Sequence, residues 1–341
     1  MLDVGRWMFK TSLTEPMPLR RSRTSPHIVV IGGANTDFLV RAARLPHPGE
    51  TITGEEFDHA EAGGKGANQA VAAARLGARV TFLGRVGADD RARALLRRLK
   101  DEGIDVRRVV KDRRAPTGVA LIGVDAHGEK QILVAPGANA RLTAADIRRA
   151  ASVLFRAGIV ILQFEVPMAA NLAAARLADR AGVPVVLDPA PAAKELPKSL
   201  LRYVTVLRAN EHEAEALTGI VVKNRASAKK AAHHLLQLGP RAAIISAGAG
   251  NLAVWREDAS AIHSLWLPRL PVKAIDATGA GDAFAAALAV ALVEGHPIPH
   301  AATFANAAAA LATTRLGAQQ ALPRRAAVLA LLRRTGRLHA V

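Results

Sequence analysis

The 341-residue chain contains no cysteine, which removes disulfides, thiolate metal sites and a cysteine nucleophile from consideration. Aromatic residues are scarce, 4% of the chain with one tyrosine. Stacking platforms of the kind that hold single-stranded nucleic acid are therefore not expected. No run reaches the roughly eighteen continuous apolar residues of a membrane-spanning helix. Acidic residues are in the minority: 29 Asp and Glu against 46 Lys and Arg leave a formal net charge of +17. The excess is dispersed in clumps such as "RALLRRLK" and "LLRRTGR", on expected helix faces and at the termini. Solvated charge of this kind favours attraction of small anionic substrates such as nucleotides over nucleic-acid binding. The first 26 residues are rich in Arg, Ser and Thr, with Asp3 and Glu15 as the acids, and lack the apolar segment of a secretory signal. They are expected to be a basic, disordered extension, and a cytoplasmic setting fits the absence of cysteine.

What is present is an alternation of buried runs and helical patterns. "HIVVIGG" (His27–Gly33) reads as a buried first strand stopped by glycines. "TDFLVRA" and "GETITGEEF" suggest more exposed strands. "TGVALIGVDAHGEKQILVAPGAN" reads as a hairpin around Asp125–Gly128. From "GIVILQF" onward, strands alternate with helices of about ten to fifteen residues, the signature of right-handed βαβ units and a parallel sheet covered on both faces. Three helices are expected at the end of the chain, over Asp282–Glu294, His300–Thr314 and Arg324–Arg334.

Three patterns mislead. "AGGKGA" is no Walker loop, because Gly66 follows Lys65 where Ser or Thr is required. "GAGNLA" matches a dinucleotide fingerprint, but a strand-like "LAVW" follows where a helix is needed. His233 and His234 are adjacent, so on a helix they point about 100° apart and make a poor metal pair.

The strongest chemical signal is "DATGAGDAFAAALAVAL" (Asp276–Leu292). Gly279, Ala280 and Gly281 precede a long apolar helix, where converging amides and the helix dipole favour an anion. Asp282 at that helix start could act as a base on an attacking hydroxyl, or could simply cap the helix. If phosphate is handled there, the glycines at Gly63–Gly66 are free to bring backbone close to a polar ligand. Lys65 and Asn68 would then add donors and an acceptor. Asn35 and Asp37 follow the first strand, at the carboxyl end where open α/β sheets bind ligands; alternatively they are turn residues.

Taken in order, "GGANTD", "PGET", "GGKGANQA", "APGAN", "LQFE", "DPAPA", "NEHEAEALTG", "GAGDAF" and "RLGAQ" resemble the ribokinase family of sugar kinases, the phosphofructokinase-B group. The resemblance runs from about His27 to Pro323. It implies a three-layer α/β/α domain over residues 27–341 with a mostly parallel central sheet. A small β-sheet lid built from about 36–60 and 115–135 would close over the sugar and mediate a homodimer. It further implies ATP-dependent phosphorylation of D-ribose at the 5-hydroxyl, with Asp282 as base and Gly279, Ala280 and Gly281 as anion hole. Asn35, Asp37, Gly64, Lys65, Gly66, Ala67, Asn68 and Glu165 would line the sugar pocket. Asn210, Ser246, Gly248, Gly250, Asn251, Gly281 and Asn306 would contact the nucleotide, and Glu213 would organise Mg2+ through water. A potassium ion would sit on Asp276, Thr278, Ala312, Arg315 and Gly317, mostly through carbonyls. The chain departs from the family at "SAGAGN", at "LRAN" before Asn210, and at Ala321 where a serine is common. A sibling kinase acting on deoxyribose, a nucleoside or another furanose is the alternative. A non-catalytic basic protein on a kinase scaffold is the remote one.

Overall fold

The computed structural model describes residues 27–192, 198–258 and 261–337. The N-terminal extension expected over residues 1–26 lies outside the described residues. The strands begin with β1 (His27–Ile31), β2 (Asn35–Arg41), β3 (Glu56–Gly63), β4 (Arg79–Leu83) and β5 (Arg85–Gly87). Next come β6 (Val110–Asp112), β7 (Gly118–Val124), β8 (Lys130–Ala135), β9 (Ile159–Gln163) and β10 (Val185–Asp188). The last four are β11 (Val206–Ala209), β12 (Ala242–Ala247), β13 (Gly250–Arg256) and β14 (Ile262–Pro268).

The main sheet has eight strands in the order β14-β13-β12-β11-β10-β9-β1-β4. It is parallel from β4 through β12 and antiparallel at the β13 and β14 edge. Its central strands are apolar on both faces because helices cover both: Ile28 and Val30 of β1 point into one core, Val29 and Ile31 into the other. One core packs under helices Lys65–Arg75, Ala280–Val293 and Ile298–Ala312, the other under Met168–Arg180 and Arg225–Gln237. This is the layered α/β architecture that the alternating pattern implies. The chain leaves β1 to pair β4 on one side and later returns to pair β9 on the other, so the strand order reverses at β1. The crevice outside the carboxyl ends at such a reversal is where open α/β sheets bind ligands.

A separate four-stranded sheet has the order β3-β2-β7-β8. β7 and β8 form the hairpin expected around Asp125–Gly128. The stretch "GETITGEEF" is a strand only from Glu56; before it Gly49 takes a left-handed φ of 83°, and Glu55 N–H donates to Arg41 O of β2 at 2.8 Å. Pairing of β2 with β3 shifts register between Asn35 and Asp37, a local irregularity that re-aims the strand where it meets the main domain. Alternation gives the sheet two different faces. Leu39, Ile122, Lys130 and Ile132 line one cavity with Asp37, while Phe38, Val40, Phe57, Leu121 and Leu133 line another on the outside.

Candidate active site

The site grows from the helix Ala280–Val293, almost every residue of which is buried. Its N-cap is Gly279, with φ 77° and ψ −3°, a conformation that suits glycine because it has no Cβ. The first amides of a helix have no carbonyl four residues back. Ala280 N–H is nevertheless used, donating to Ala277 O at 3.2 Å. Ala280 therefore contributes less to the expected anion hole than its neighbours, and the amides left to face a ligand are those of Gly279, Gly281 and Asp282. A Cβ on Gly281 would stand 2.7 Å from Arg208 Nη1, so a side chain there would push the guanidinium end of Arg208 aside.

Asp282 is buried and does not cap its helix, since its side chain accepts no bond from the helix amides. Its oxygens are held from the neighbouring helix: Asn68 Nδ2 donates to Oδ2 at 3.0 Å and Gln69 Nε2 to Oδ1 at 3.1 Å. Gln69 Nε2 also donates to Asp188 Oδ2 at 2.9 Å. The Lys65 ammonium stands 3.8 Å from both Asp188 Oδ2 and Asp282 Oδ1. Burial pushes the Asp282 carboxyl above its ordinary value; Lys65 opposes this and Asp188 adds to it. A carboxylate fixed in place and raised in basicity suits a general base.

The glycine-rich opening of helix Lys65–Arg75 is not a phosphate cradle. Its amides are committed: Lys65 N–H donates to Glu165 Oε2 at 2.8 Å and Ala67 N–H to Gly33 O at 3.1 Å. Gly66 lets the helix lie on the end of β1, where a Cβ would meet Gly33 O at 2.7 Å. Gly64, the helix N-cap with φ 84°, turns the chain so that Lys65 and Asn68 face Asp282.

Asn35 and Asp37 lie in β2, not in a turn. Asn35 is buried, and its Oδ1 accepts from Asn139 Nδ2 at 2.8 Å. Asp37 Oδ1 is buried with no hydrogen-bond partner, an acceptor left open for a ligand hydroxyl. Burial, reinforced by the Asp282 charge, lifts the Asp37 carboxyl to about 7. Burial lifts Glu165 to about 7 as well, against the pull of Lys65. A cavity of about 280 Å³ adjoins these groups, lined by Asp37, Leu39, Lys130, Asp276 and Gln319 among others.

On the other side of Gly281 the expected nucleotide residues form a chain of hydrogen bonds. Ser246 Oγ donates to Asn251 Oδ1 at 2.9 Å, Asn251 Nδ2 to Asn306 Oδ1 at 3.0 Å, and Asn306 Nδ2 to Pro268 O at 3.0 Å. Gly248 is exposed and its N–H donates to Glu211 Oε1 at 3.0 Å. Gly250 is a buried strand residue whose Cβ would strike Leu267 O at 2.4 Å, so its absent side chain serves the sheet. Asn210 and Glu213 form a capping box: Glu213 N–H donates to Asn210 Oδ1 at 2.8 Å and Asn210 N–H to Glu213 Oε2 at 2.8 Å. Burial raises the Glu213 carboxyl, and the Asp188 charge raises it further.

Of the residues expected around a potassium ion, Asp276, Thr278 and Gly317 are joined by hydrogen bonds. Asp276 Oδ2 accepts from Gly317 N–H at 2.9 Å, and Oδ1 accepts from Thr278 N–H at 2.9 Å and Thr278 Oγ1 at 2.6 Å. Among the described residues no hydrogen bond joins Ala312 or Arg315 to Asp276; Ala312 is buried and Arg315 is exposed. Thr313 O holds the turn instead, accepting from Ile275 and Asp276 N–H at 2.7 and 3.1 Å. Lys130, from the small sheet, bonds Asp276 Oδ1 at 2.5 Å and also reaches Thr278 Oγ1.

Sequence reasoning gave no role to Gln69, Asn139, Asp188, Arg208 or Lys130. Asp188 had a signal, a carboxylate ending the buried run "VPVVLD" at a strand's carboxyl end. Arg208 lies 3.7 Å from Asp188 Oδ1 and 3.4 Å from Ser246 Oγ, with its Nε buried and unpartnered. Its only signal was the departure "LRAN".

The pfkB family carbohydrate kinase profile matches residues 25–325. The ribokinase of Haemophilus influenzae is 37% identical over 305 residues, covering 89% of this chain and 98% of that one. The deoxyribokinase of Salmonella typhi is 36% identical over 296 residues, 87% of this chain and 95% of the relative. Among solved structures, Arabidopsis thaliana ribokinase complexed with ribose and ATP superposes with a TM-score of 0.81 at 33% identity, covering 90% of this chain and 98% of that one.

Proposed function

This chain belongs to the pfkB family of carbohydrate kinases, and from that premise we propose that it phosphorylates D-ribose at the 5-hydroxyl with ATP. The observation that carries the reading is Asp282. It is a buried carboxylate aimed by Asn68 and Gln69, beside the open amides of a helix start and 3.8 Å from Lys65. The sugar lies between the small sheet and the helix Lys65–Arg75, meeting Asn35, Asp37, Lys65, Asn68 and Glu165. The open acceptor on Asp37 supports this placement. Asp282 takes the proton of the 5-hydroxyl as that oxygen bonds to the γ-phosphorus of ATP. The bond from that phosphorus to the bridging oxygen breaks, and ADP leaves. The amides of Gly279, Gly281 and Asp282 receive the charge on the transferring group, so positioning and electrostatics carry the rate.

The nucleotide follows Ser246, Asn251 and Asn306 toward Gly281, with Gly248 at the exposed turn. Mg2+ fits the phosphate side, where the buried Asp188 Oδ1 lacks a hydrogen-bond partner and the Asp188 charge raises Glu213. Asp188 and Glu213, directly or through water, would hold an ion that neutralises phosphate charge. The potassium expectation fits less well, because Asp276 is already met by Lys130, and no step is routed through that ion. The outer face of the small sheet, with Phe57 63% and Leu133 72% exposed, suits a second copy of the chain, giving a homodimer through the lid. Among the described residues no helix is long and apolar enough to cross a membrane. A cytoplasmic enzyme using ATP is the setting this reading implies.

The test is the rate of ATP-dependent phosphorylation of ribose, deoxyribose, fructose and adenosine by one preparation. The highest kcat/KM is expected with ribose. A preference for deoxyribose, favoured as runner-up by the 36% identity to a deoxyribokinase, would move the assignment to the sibling activity.

A further inference from the structure

The turn from Asp276 to Gly279 delivers the chain into the anion-binding helix, and its geometry depends on one carboxylate. Asp276 ties the turn to itself through Thr278 and to the later loop through Gly317. A buried carboxylate so placed needs a positive partner. Among the described residues, the partner is not a side chain of the 312–317 loop. It comes from across the site, where Lys130 opens β8 on the inner side of the small sheet. Its ammonium bonds Asp276 Oδ1 at 2.5 Å and Thr278 Oγ1, with the Asp276 side chain only 7% exposed.

We propose that the Lys130 ammonium takes the place of the monovalent cation expected beside the anion hole, fixing the Asp276–Gly279 turn and making this chain's activity independent of added potassium. The assignment rests on the kinase reading for its rate measurement only. An ammonium group and a potassium ion are close in size and carry the same charge, and both are satisfied by oxygen atoms alone. Asp276 Oδ1 accepts three donors in this arrangement, from Lys130, Thr278 N–H and Thr278 Oγ1, so its coordination is full. Lys130 is thus a positioning residue. It acts through the Asp276–Gly279 turn, which its ammonium ties down.

The experiment compares the full chain with Lys130→Met and Asp276→Asn in Mg2+-containing buffers whose only monovalent cation is a bulky quaternary ammonium. ADP formation is read by chromatography, because coupling enzymes bring their own potassium requirement. Wild type is expected to change less than about twofold on adding potassium chloride. Lys130→Met should lose about tenfold or more and regain it with potassium or ammonium ions, since the vacated carboxylate can then bind either. Asp276→Asn should not be rescued. A second readout needs no catalysis: thallium(I) binding and the potassium-dependent shift in Tm should be absent in wild type and present in Lys130→Met. The proposal is overturned if wild type binds thallium and requires potassium. It is equally overturned if Lys130→Met responds to potassium in neither rate nor Tm. Should no sugar be phosphorylated at all, the kinase reading fails, while the binding and melting arms still decide the role of Lys130.

Discussion

Asp282→Asn separates chemistry from architecture because the structure shows what the amide would meet. Each Asp282 oxygen accepts one side-chain amide, from Asn68 at 3.0 Å and Gln69 at 3.1 Å. Neither donor can turn over freely. Asn68 Oδ1 accepts from Gln319 Nε2 at 3.1 Å, and Gln69 Oε1 accepts from Gln163 Nε2 at 2.5 Å. The new NH2 group therefore faces another NH2 group, a mismatch costing about 1–3 kcal/mol. Loss of a buried negative charge next to Asp188 offsets part of this, so Tm should move by only a few degrees. The rate is a different matter. Removing a positioned base typically costs about 10²–10⁴ in turnover. At about 1.4 kcal/mol per factor of ten, that is roughly 3–5 kcal/mol of barrier, more than the mismatch can explain. Steady-state ADP release gives kcat, and calorimetric titration with ribose gives Kd. Turnover should collapse while Kd stays within a few-fold. A variant that keeps turnover within about tenfold of wild type, or loses sugar affinity in step with it, would refute the general-base assignment.

The raised Asp37 carboxyl is protonated more readily in the folded than in the unfolded chain, so its contribution to stability is present at low pH and lost as pH rises from about 4 toward 7. Asp37→Asn should accordingly melt higher than wild type at pH 8, with the gap closing near pH 4, while ribose binding weakens by at least about tenfold; melting curves across pH and calorimetry read both. Gly281→Ala puts a methyl group 2.7 Å from Arg208 Nη1, so kcat/KM for ATP should fall by about tenfold with ribose Kd unchanged. Leu133→Glu combined with Phe57→Glu charges the outer face of the small sheet, and light scattering should report monomers for the variant and dimers for wild type.

The helix start at Gly279–Asp282 could be read in the sequence because its elements are adjacent: small residues, a carboxylate and a long apolar run. The same holds for β1, whose uninterrupted apolar run requires burial on both faces. The cap reading of Asp282 could not be dismissed there. The residues that deny it, Asn68 and Gln69, lie more than two hundred positions away and meet Asp282 only because two helices share one side of the sheet. Asp188 ends β10 and Arg208 lies next to the end of its neighbour β11, and the sheet order that makes them neighbours cannot be read from either segment alone. The glycines before Lys65 belong with the legible part, since the sequence already separated them from a phosphate loop by placing Gly66 after Lys65. A pattern that elsewhere cradles phosphate serves close packing here, because Glu165 and Gly33 O already take the amides. Asn210 and Glu213, given only a nucleotide and Mg2+ role by the resemblance, also have the spacing of a capping box, which the structure shows them to form.

The small sheet joins the two halves of the chemistry more directly than a cover would. β2 carries Asp37, whose open acceptor awaits a hydroxyl, and β8 carries Lys130, bonded to the turn that aims the anion hole. The two strands flank β7 in one hydrogen-bonded sheet, with seven paired positions between β2 and β7 and six between β7 and β8. A rigid-body movement of that sheet cannot seat Asp37 on the sugar without also seating Lys130 on Asp276. A sugar bound through Asp37, as proposed, would favour the same sheet position that ties down the turn into Gly279–Gly281, and by linkage a phosphate at those amides would favour the sugar. Cutting the Lys130 contact should uncouple the two, so that in Lys130→Met the ribose Kd no longer tightens when a non-hydrolysable ATP analogue is present. Coupling that survives the substitution would mean the sheet reaches the anion hole by another route.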